Sequence, residues 1–285
     1  MIDAPDPRPP GAPPTDAPPT DAPLVDTHFH LYTRDMPITP WAWHHPPEDA
    51  TAERFIALMD EHGVGYGVIA AASLYGQYND YTIRSMRRHP RLRGTAFVRP
   101  DTDLYTLERM KADGIVGIRL FFRHVPDPPD LDSPEYRLLL RRVRDLDWHV
   151  HTLVSGPALP EVIRAVEGAG VKLVIDHFGK PDDGLGVECP GFRALLAAVE
   201  RGRTWVKLSA GFRMASREAA RDYARALLRV SGGERLMWGS DWPFAAFEDR
   251  VTYGATIADL RDWVPDAATR RLITGDTPMR LYFGA

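Results

Sequence analysis

The sequence predicts a (β/α)8 TIM barrel, and three observations predict it. From Leu24 onward, short apolar runs rich in Val, Ile and Leu alternate with loops and with amphipathic segments of helical period, the pattern of βαβ units around a parallel sheet. Eight such units within roughly 260 residues are what a closed barrel requires. No glycine-rich nucleotide loop follows an early strand in DTHFHLYT or ASLYGQYN, so an open doubly wound sheet, the structural alternative, lacks its usual mark.

The elements follow in order. LVDTHFH (24–30) reads as the first strand and TAERFIALMDEH as its helix; GYGVIAAAS (65–73) is followed by YTIRSMRRH. LRGTAFV (92–98) leads to LYTLERMKAD, and IVGIRLFF (115–122) to PEYRLLLRRVRDL. WHVHTLVS (148–155) precedes LPEVIRAVEGA, and KLVIDHF (172–178) precedes FRALLAAVER. TWVKLSA (204–210) is paired with SREAARDYARALLRV, while RLMWGSDW (235–242) precedes the closing segments YGATIADLRDW and DAATRRLITG.

Residues 1–23 stand apart: nine prolines, a short TDAPP echo and almost no large apolar side chain predict a disordered or extended appendage, leaving 24–285 as the barrel. The segment lacks the basic start and apolar stretch of a secretory signal, so a cytoplasmic location is expected. A formal charge of −4 argues against a nucleic-acid partner, and no apolar run is long enough to span a bilayer. The lone Cys189 excludes an internal disulfide and a CxxC metal site; beside Pro190 and Gly191, before a helix, it is a poor nucleophile. Oligomeric state is left open, a homo-oligomer being compatible with everything here.

Barrel active sites form at the C-terminal ends of the strands, so the polar residues there are the candidates. His28 and His30, spaced His-x-His, project together from the first strand. The later tips offer Ser73, Arg99, Arg119 and Arg123, then His149 and His151, Asp176 and His177, Lys207, Ser209 and Arg213, and finally Asp241. A lone histidine at a strand end is usually a hydrogen-bonded structural residue. Convergence of His28, His30, His177 and Asp241 from strands one, six and eight favours a site, because a buried acid needs partners. Strand alternation does not say whether His149 or His151 enters it. His44, His45, His62, His89 and His124 fall in loops or helix ends and are expected to face solvent, and Trp41, Trp43 and Trp242 suit either a pocket wall or core packing. Arg119 interrupts an apolar strand, where an unpaired charge is costly; for Arg123 a solvated loop charge is the plainer reading.

DTHFH, DHFGKP, VKLSAGFR, MWGSDWP and GDTPMRLYFG together resemble the amidohydrolase superfamily, and more narrowly its lactonase branch, over Leu24 to Ala285. A lone His-x-His is weak evidence, but five ordered motifs at barrel spacing are specific. The resemblance implies a hydrolase that opens a small anionic lactone such as 2-pyrone-4,6-dicarboxylate or a related muconolactone. Asp241 would be the general base, with His28, His30 and His177 polarising the ring carbonyl. Ser73, Arg119, Arg123 and Arg213 would bind the substrate's carboxylates, which guanidinium matches through paired hydrogen bonds.

The superfamily's binuclear centres resemble a set that includes a carbamylated lysine on strand four, and IVGIRLFF has none. A single zinc or manganese could sit on His28, His30, His177 and Asp241, but the lactonase resemblance implies that no metal is needed. One departure bears on substrate: the lactonases place a tyrosine near the end of strand five, where HTLVSG offers Thr152, Leu153 and Ser155, so sulfomuconolactones and sugar lactones stay in view. Two other readings are a metal-dependent decarboxylase of the same superfamily and a barrel that binds without turnover. Against the second stands an acid kept among histidines.

Overall fold

The computed structural model describes residues 23–182 and 184–284; the proline-rich appendage, apart from Pro23, lies outside the described residues. The eight predicted strands form one parallel sheet in sequence order: β1 Val25–Phe29, β2 Tyr66–Ile69, β3 Leu92–Ala96, β4 Ile115–Phe121, β5 His149–Leu153, β6 Lys172–Ile175, β7 Thr204–Ser209 and β8 Leu236–Gly239. β8 returns to β1, where the Asp241 N–H donates to the His28 carbonyl at 2.8 Å and the His30 N–H to the Trp242 carbonyl at 2.8 Å. The sheet therefore closes on itself, as a (β/α)8 barrel must.

The helices are α1 Ala52–Glu61, α2 Asp80–Arg88, α3 Leu104–Ala112, α4 Pro134–Asp145, α5 Leu159–Gly168, α6 Pro190–Glu200, α7 Arg217–Ser231, α8 Tyr253–Trp263 and α9 Ala267–Arg271. Their starts are written in the sequence: Thr51, Asp103, Ser133, Ser216, Thr252 and Asp266 each accept a hydrogen bond from the N–H three residues on. The last predicted helix ends early, at Arg271, and the chain continues through wide turns at Leu272–Asp276 and Met279–Phe283.

The strands are shorter than predicted at their C-terminal ends. Ser73 already begins a tight turn, as does His177, and Asp241 lies beyond β8 in a left-handed conformation (φ 65°). These residues leave the ladder, which frees their side chains to face the barrel mouth.

Alternation divides the strand residues. Leu173, Ile175, Val206, Leu208, Leu236 and Trp238 join the main core between strands and helices, whereas Val25, Val68, Val174 and Met237 pack with Tyr282 in a separate buried cluster inside the barrel. Above that apolar plug lies a layer in which His28, Arg119, His151, Asp176 and Lys207 are all buried. A barrel interior is normally filled with branched apolar side chains, so a charged layer marks the end where chemistry is done.

Candidate active site

β1 sets the site. Its pairing with β2 shifts register between Asp26 and Phe29, and the buried Asp26 carboxylate accepts from the backbone N–H groups of His28 and Ser240, both at 3.0 Å, and from the Tyr253 hydroxyl at 3.0 Å. This clamp ties β1 to β8 and presents His28 and His30 beside Asp241.

Three imidazoles converge on one oxygen. Nε2 of His28, His30 and His177 lie 3.4, 3.7 and 3.6 Å from Asp241 Oδ1. The rings are held from behind: His30 Nδ1 donates to the Ala70 carbonyl at 2.8 Å, and His177 Nδ1 pairs with Ser209 Oγ at 2.8 Å. His28 Nδ1 stands 2.9 Å from Asp176 Oδ1 and 3.4 Å from Lys207 Nζ. Because a carbonyl only accepts, His30 carries a proton on Nδ1 and turns Nε2 toward Asp241. The other Asp241 oxygen, Oδ2, accepts from Arg213 Nε at 2.8 Å, and Arg213 Nη2 donates to the Ala245 carbonyl at 2.9 Å.

Burial alone would raise the Asp241 carboxyl, but the charge of Arg213 above all overrides it and holds the group well below the usual carboxylate range. Asp241 is therefore ionised at neutral pH. Burial pushes His177 down to about 4 and His28 well below its ordinary value, so both are neutral.

These groups form the floor of a cavity of about 340 Å³. His30, Arg119, His177, Arg213 and Asp241 line its base, Tyr32, Leu74, Phe121, Leu153, Met214 and Phe247 its walls, and Trp43, Ser73, Arg123, His124 and Lys180 its rim. The segment between β1 and α1 arches over the mouth: Trp43 Nε1 donates to Ser73 Oγ at 3.4 Å, and His44 pairs with Glu248 at 2.6 Å. Arg119 is 5% exposed and already gives Nη1 to the Ala71 carbonyl and Nη2 to Asp176. Lys180 donates to the Arg213 carbonyl at 3.0 Å, and among the described residues no carboxylate is paired with Lys180 or with the exposed Arg123.

Seven of the eight residues singled out from sequence line this cavity; His28 lies just beneath it, against Asp241. Arg99 does not join them and pairs with Asp101 at the surface, because it falls three residues past the end of β3. His149 and His151 both point inward but are too deep to reach the cavity: His151 contacts Asp176, and His149 packs on Tyr282 with ring centroids 5.2 Å apart. His44, expected in solvent, is instead half-buried on Glu248, and His124 is exposed yet forms part of the rim. Trp43 lines the cavity at its rim and Trp242 packs against Phe55. At the end of β5 only Leu153 faces the cavity, while Thr152 donates to the Leu120 carbonyl. Cys189 is buried before α6. Tyr32 and Lys180 were not predicted; Tyr32 lies two residues past DTHFH and Lys180 is the lysine of DHFGKP, but only the loop conformations bring them inward.

The donor set fits one divalent cation. Zinc bonds of about 2.0–2.1 Å in tetrahedral geometry place neighbouring ligands about 3.4 Å apart, close to the separations around Asp241 Oδ1. His28, His30 and Asp241 offer ligand atoms that all lie within 4.8 Å of one another, and His28 Nε2 is buried without a hydrogen-bond partner among the described residues.

The family model for amidohydrolases matches residues 25–284. A 4-sulfomuconolactone hydrolase from Rhizobium radiobacter is 30% identical over 268 residues, 90% of this chain and 89% of that one. A 2-pyrone-4,6-dicarboxylate hydrolase from Comamonas testosteroni is 26% identical over 276 residues, 91% and 90% of the two chains. Among solved structures, a probable 2-pyrone-4,6-dicarboxylic acid hydrolase from Acinetobacter baumannii, with citric acid bound, superposes with a TM-score of 0.87 at 29% identity over 91% of this chain and 99% of that one. With the barrel, its strand-end histidines and the match over nearly its whole length, the chain belongs to the amidohydrolase family.

Proposed function

We propose that this protein is a hydrolase that opens a small anionic lactone such as 2-pyrone-4,6-dicarboxylate or a sulfonated muconolactone. The observation that carries this reading is the division of the Asp241 carboxylate. Arg213 holds Oδ2, and Oδ1 is left facing three imidazoles at the base of a cavity rimmed by cations, Arg123 and Lys180, that have no carboxylate partner among the described residues. The Comamonas and Rhizobium relatives are named for anionic lactones, and the Acinetobacter protein holds a tricarboxylate; all three support an anion-binding cavity here.

The chemistry follows from the chain's own groups. Water at the focus donates one hydrogen to Asp241 Oδ1 and the other to an Nε2 of the imidazole trio, leaving an oxygen lone pair for the ring carbonyl. Asp241 takes the proton as the C–O bond forms, and the guanidinium groups of Arg213 and Arg119 face the developing oxyanion. When the ring C–O bond breaks, that proton passes to the departing ring oxygen, so no covalent enzyme intermediate is required. Arg123 and Lys180 hold the substrate's acidic groups at the rim, Ser73 adds a hydroxyl, and Leu74, Phe121, Leu153 and Phe247 cover the flat ring. Should a divalent ion be bound, His28, His30, His177 and Asp241 would hold it, and it would supply Lewis-acid polarisation and a more acidic water.

The test is turnover of 2-pyrone-4,6-dicarboxylate and of 4-sulfomuconolactone, followed by loss of ring absorbance, with purified, chelated and zinc- or manganese-supplemented protein. Ring opening in any of these states supports the reading. Release of carbon dioxide from an aromatic acid, with neither lactone opened, overturns it in favour of a decarboxylase.

A further inference from the structure

Beneath the cavity floor, Asp176 occupies a place the hydrolytic scheme does not use. It follows β6, is fully buried and does not line the cavity. Oδ2 accepts from Arg119 Nη2 at 2.8 Å, while Oδ1 faces His28 Nδ1 at 2.9 Å, His151 Nε2 in a short hydrogen bond, and Lys207 Nζ at 3.8 Å. The Arg119 guanidinium, bonded to Oδ2, supplies the countercharge for this buried carboxylate.

Two groups compete for Nδ1 of His28. A carboxylate nearby favours a proton on that nitrogen; an ammonium favours a bare lone pair there. Asp176 is the nearer, at 2.9 Å against 3.4 Å for Lys207, and Lys207 has a better acceptor in the Thr27 carbonyl at 2.6 Å. With the proton on Nδ1, Nε2 is a lone pair aimed at the reacting centre, 3.4 Å from Asp241 Oδ1. With it on Nε2, His28 would donate to Asp241 and block the point where water or a cation must sit.

We infer that Asp176 is a positioning residue: it holds the His28 proton on Nδ1 so that Nε2 accepts at the site of water activation. The inference rests on the hydrolase reading for its catalytic consequence, though not for the placement of the proton. Asp176→Asn is a sharp test because the neighbours dictate how the amide must turn. Arg119 can only donate, so the amide oxygen faces Arg119 and the NH2 group takes the place of Oδ1, donating to His28 Nδ1. The imidazole proton is then forced to Nε2.

The experiment is long-range 1H–15N correlation of the histidine rings in the full chain, with His28 assigned by its loss in His28→Gln. Wild type and Lys207→Met are expected to show Nδ1-protonated His28, the second because it removes the competitor while Arg119 still pairs with Asp176; Asp176→Asn is expected to show Nε2-protonated His28. For lactone opening, Asp176→Asn should lower kcat by about 100-fold with KM within about threefold, the size typical of a lost partner behind a site histidine. Wild-type His28 protonated on Nε2 overturns the inference even if Asp176→Asn does not fold, as does an Asp176→Asn variant whose tautomer and kcat are those of wild type. Failure of the wild type to open any lactone removes the hydrolase reading and leaves the tautomer result standing; turnover with the wrong tautomer removes only this inference.

Discussion

Arg213 and Asp241 share one bond and divide one carboxylate. Nε of Arg213 takes Oδ2 at 2.8 Å, fixing the rotation of the acid, so that Oδ1 is the oxygen turned to His28, His30 and His177. The arginine is itself pinned through Nη2 to the Ala245 carbonyl, which makes the pair a rigid unit spanning the loops after β7 and β8. The same charge that orients Asp241 keeps it ionised.

Removing the base while keeping its shape is the most direct consequence to test. Asp241→Asn should reduce kcat by about 10²–10⁴-fold, the range expected of a positioned general base, with substrate affinity, read by calorimetry or equilibrium dialysis, largely retained. Loss of affinity together with turnover would instead make Asp241 a metal ligand or a structural acid.

Arg213→Met should act on two observables at once. A cation is withdrawn from the cavity floor, so KM for an anionic lactone rises. The attraction that opposes burial is also withdrawn, so the Asp241 pKa rises. Asp241 works ionised, hence activity that persists at low pH in the wild type is lost at a higher pH in the variant. A pH profile whose acid limb does not move would show that Arg213 does not control the base, and an unchanged KM would take it out of substrate binding.

The rim makes a separate prediction, because Arg123 and Lys180 are the cations there without a carboxylate partner among the described residues. Arg123→Met and Lys180→Met should each raise KM by about tenfold with little change in kcat, as expected where binding is equal in ground and transition states. Raised salt should weaken substrate binding in the wild type and less so in the double variant. Equal KM values for all four proteins would return both residues to the solvated-charge reading.

How far this site could be read in advance depends on what places each residue. His28, His30, His177 and Asp241 were legible because each follows a strand whose Val, Ile and Leu content announces it, and the barrel then brings the tips together. Lys180 was not, and Trp43 only as one of two readings, since their positions come from loop conformations: Lys180 sits in a left-handed turn (φ 41°), and Trp43 on a long segment held by contacts with Ser73 and Glu248. For His149 and His151 the alternation left open whether either enters the site, and depth decides it. A residue two places earlier on a strand lies about 6–7 Å lower, and that distance alone separates the plug from the charged layer. Asp176 could be seen as inward-facing, but its contact with His28 joins β6 to β1 across the barrel, which no local pattern encodes.

His149 carries the last prediction, about stability. It is buried over Gly117, where an added Cβ would stand 2.5 Å from the ring and 2.6 Å from the His149 carbonyl, so β4 has glycine there to admit the imidazole. Burial lowers its pKa from 6.5 to about 3. In the folded protein it stays neutral, while the unfolded chain gains a proton below pH 6.5. Its contribution is therefore complete above that pH and lost progressively as pH falls toward 3, for a total of about 5 kcal/mol and about 3 kcal/mol by pH 4.5. Asp26, raised to about 6 by burial, has the opposite sign, gaining stability as pH falls, so a single denaturation curve would mix the two. The difference between wild type and His149→Phe isolates the histidine: urea unfolding at pH 7.5 and 4.5 should show the wild type losing about 3 kcal/mol more than the variant. Parallel losses would mean that His149 is protonated in the folded barrel.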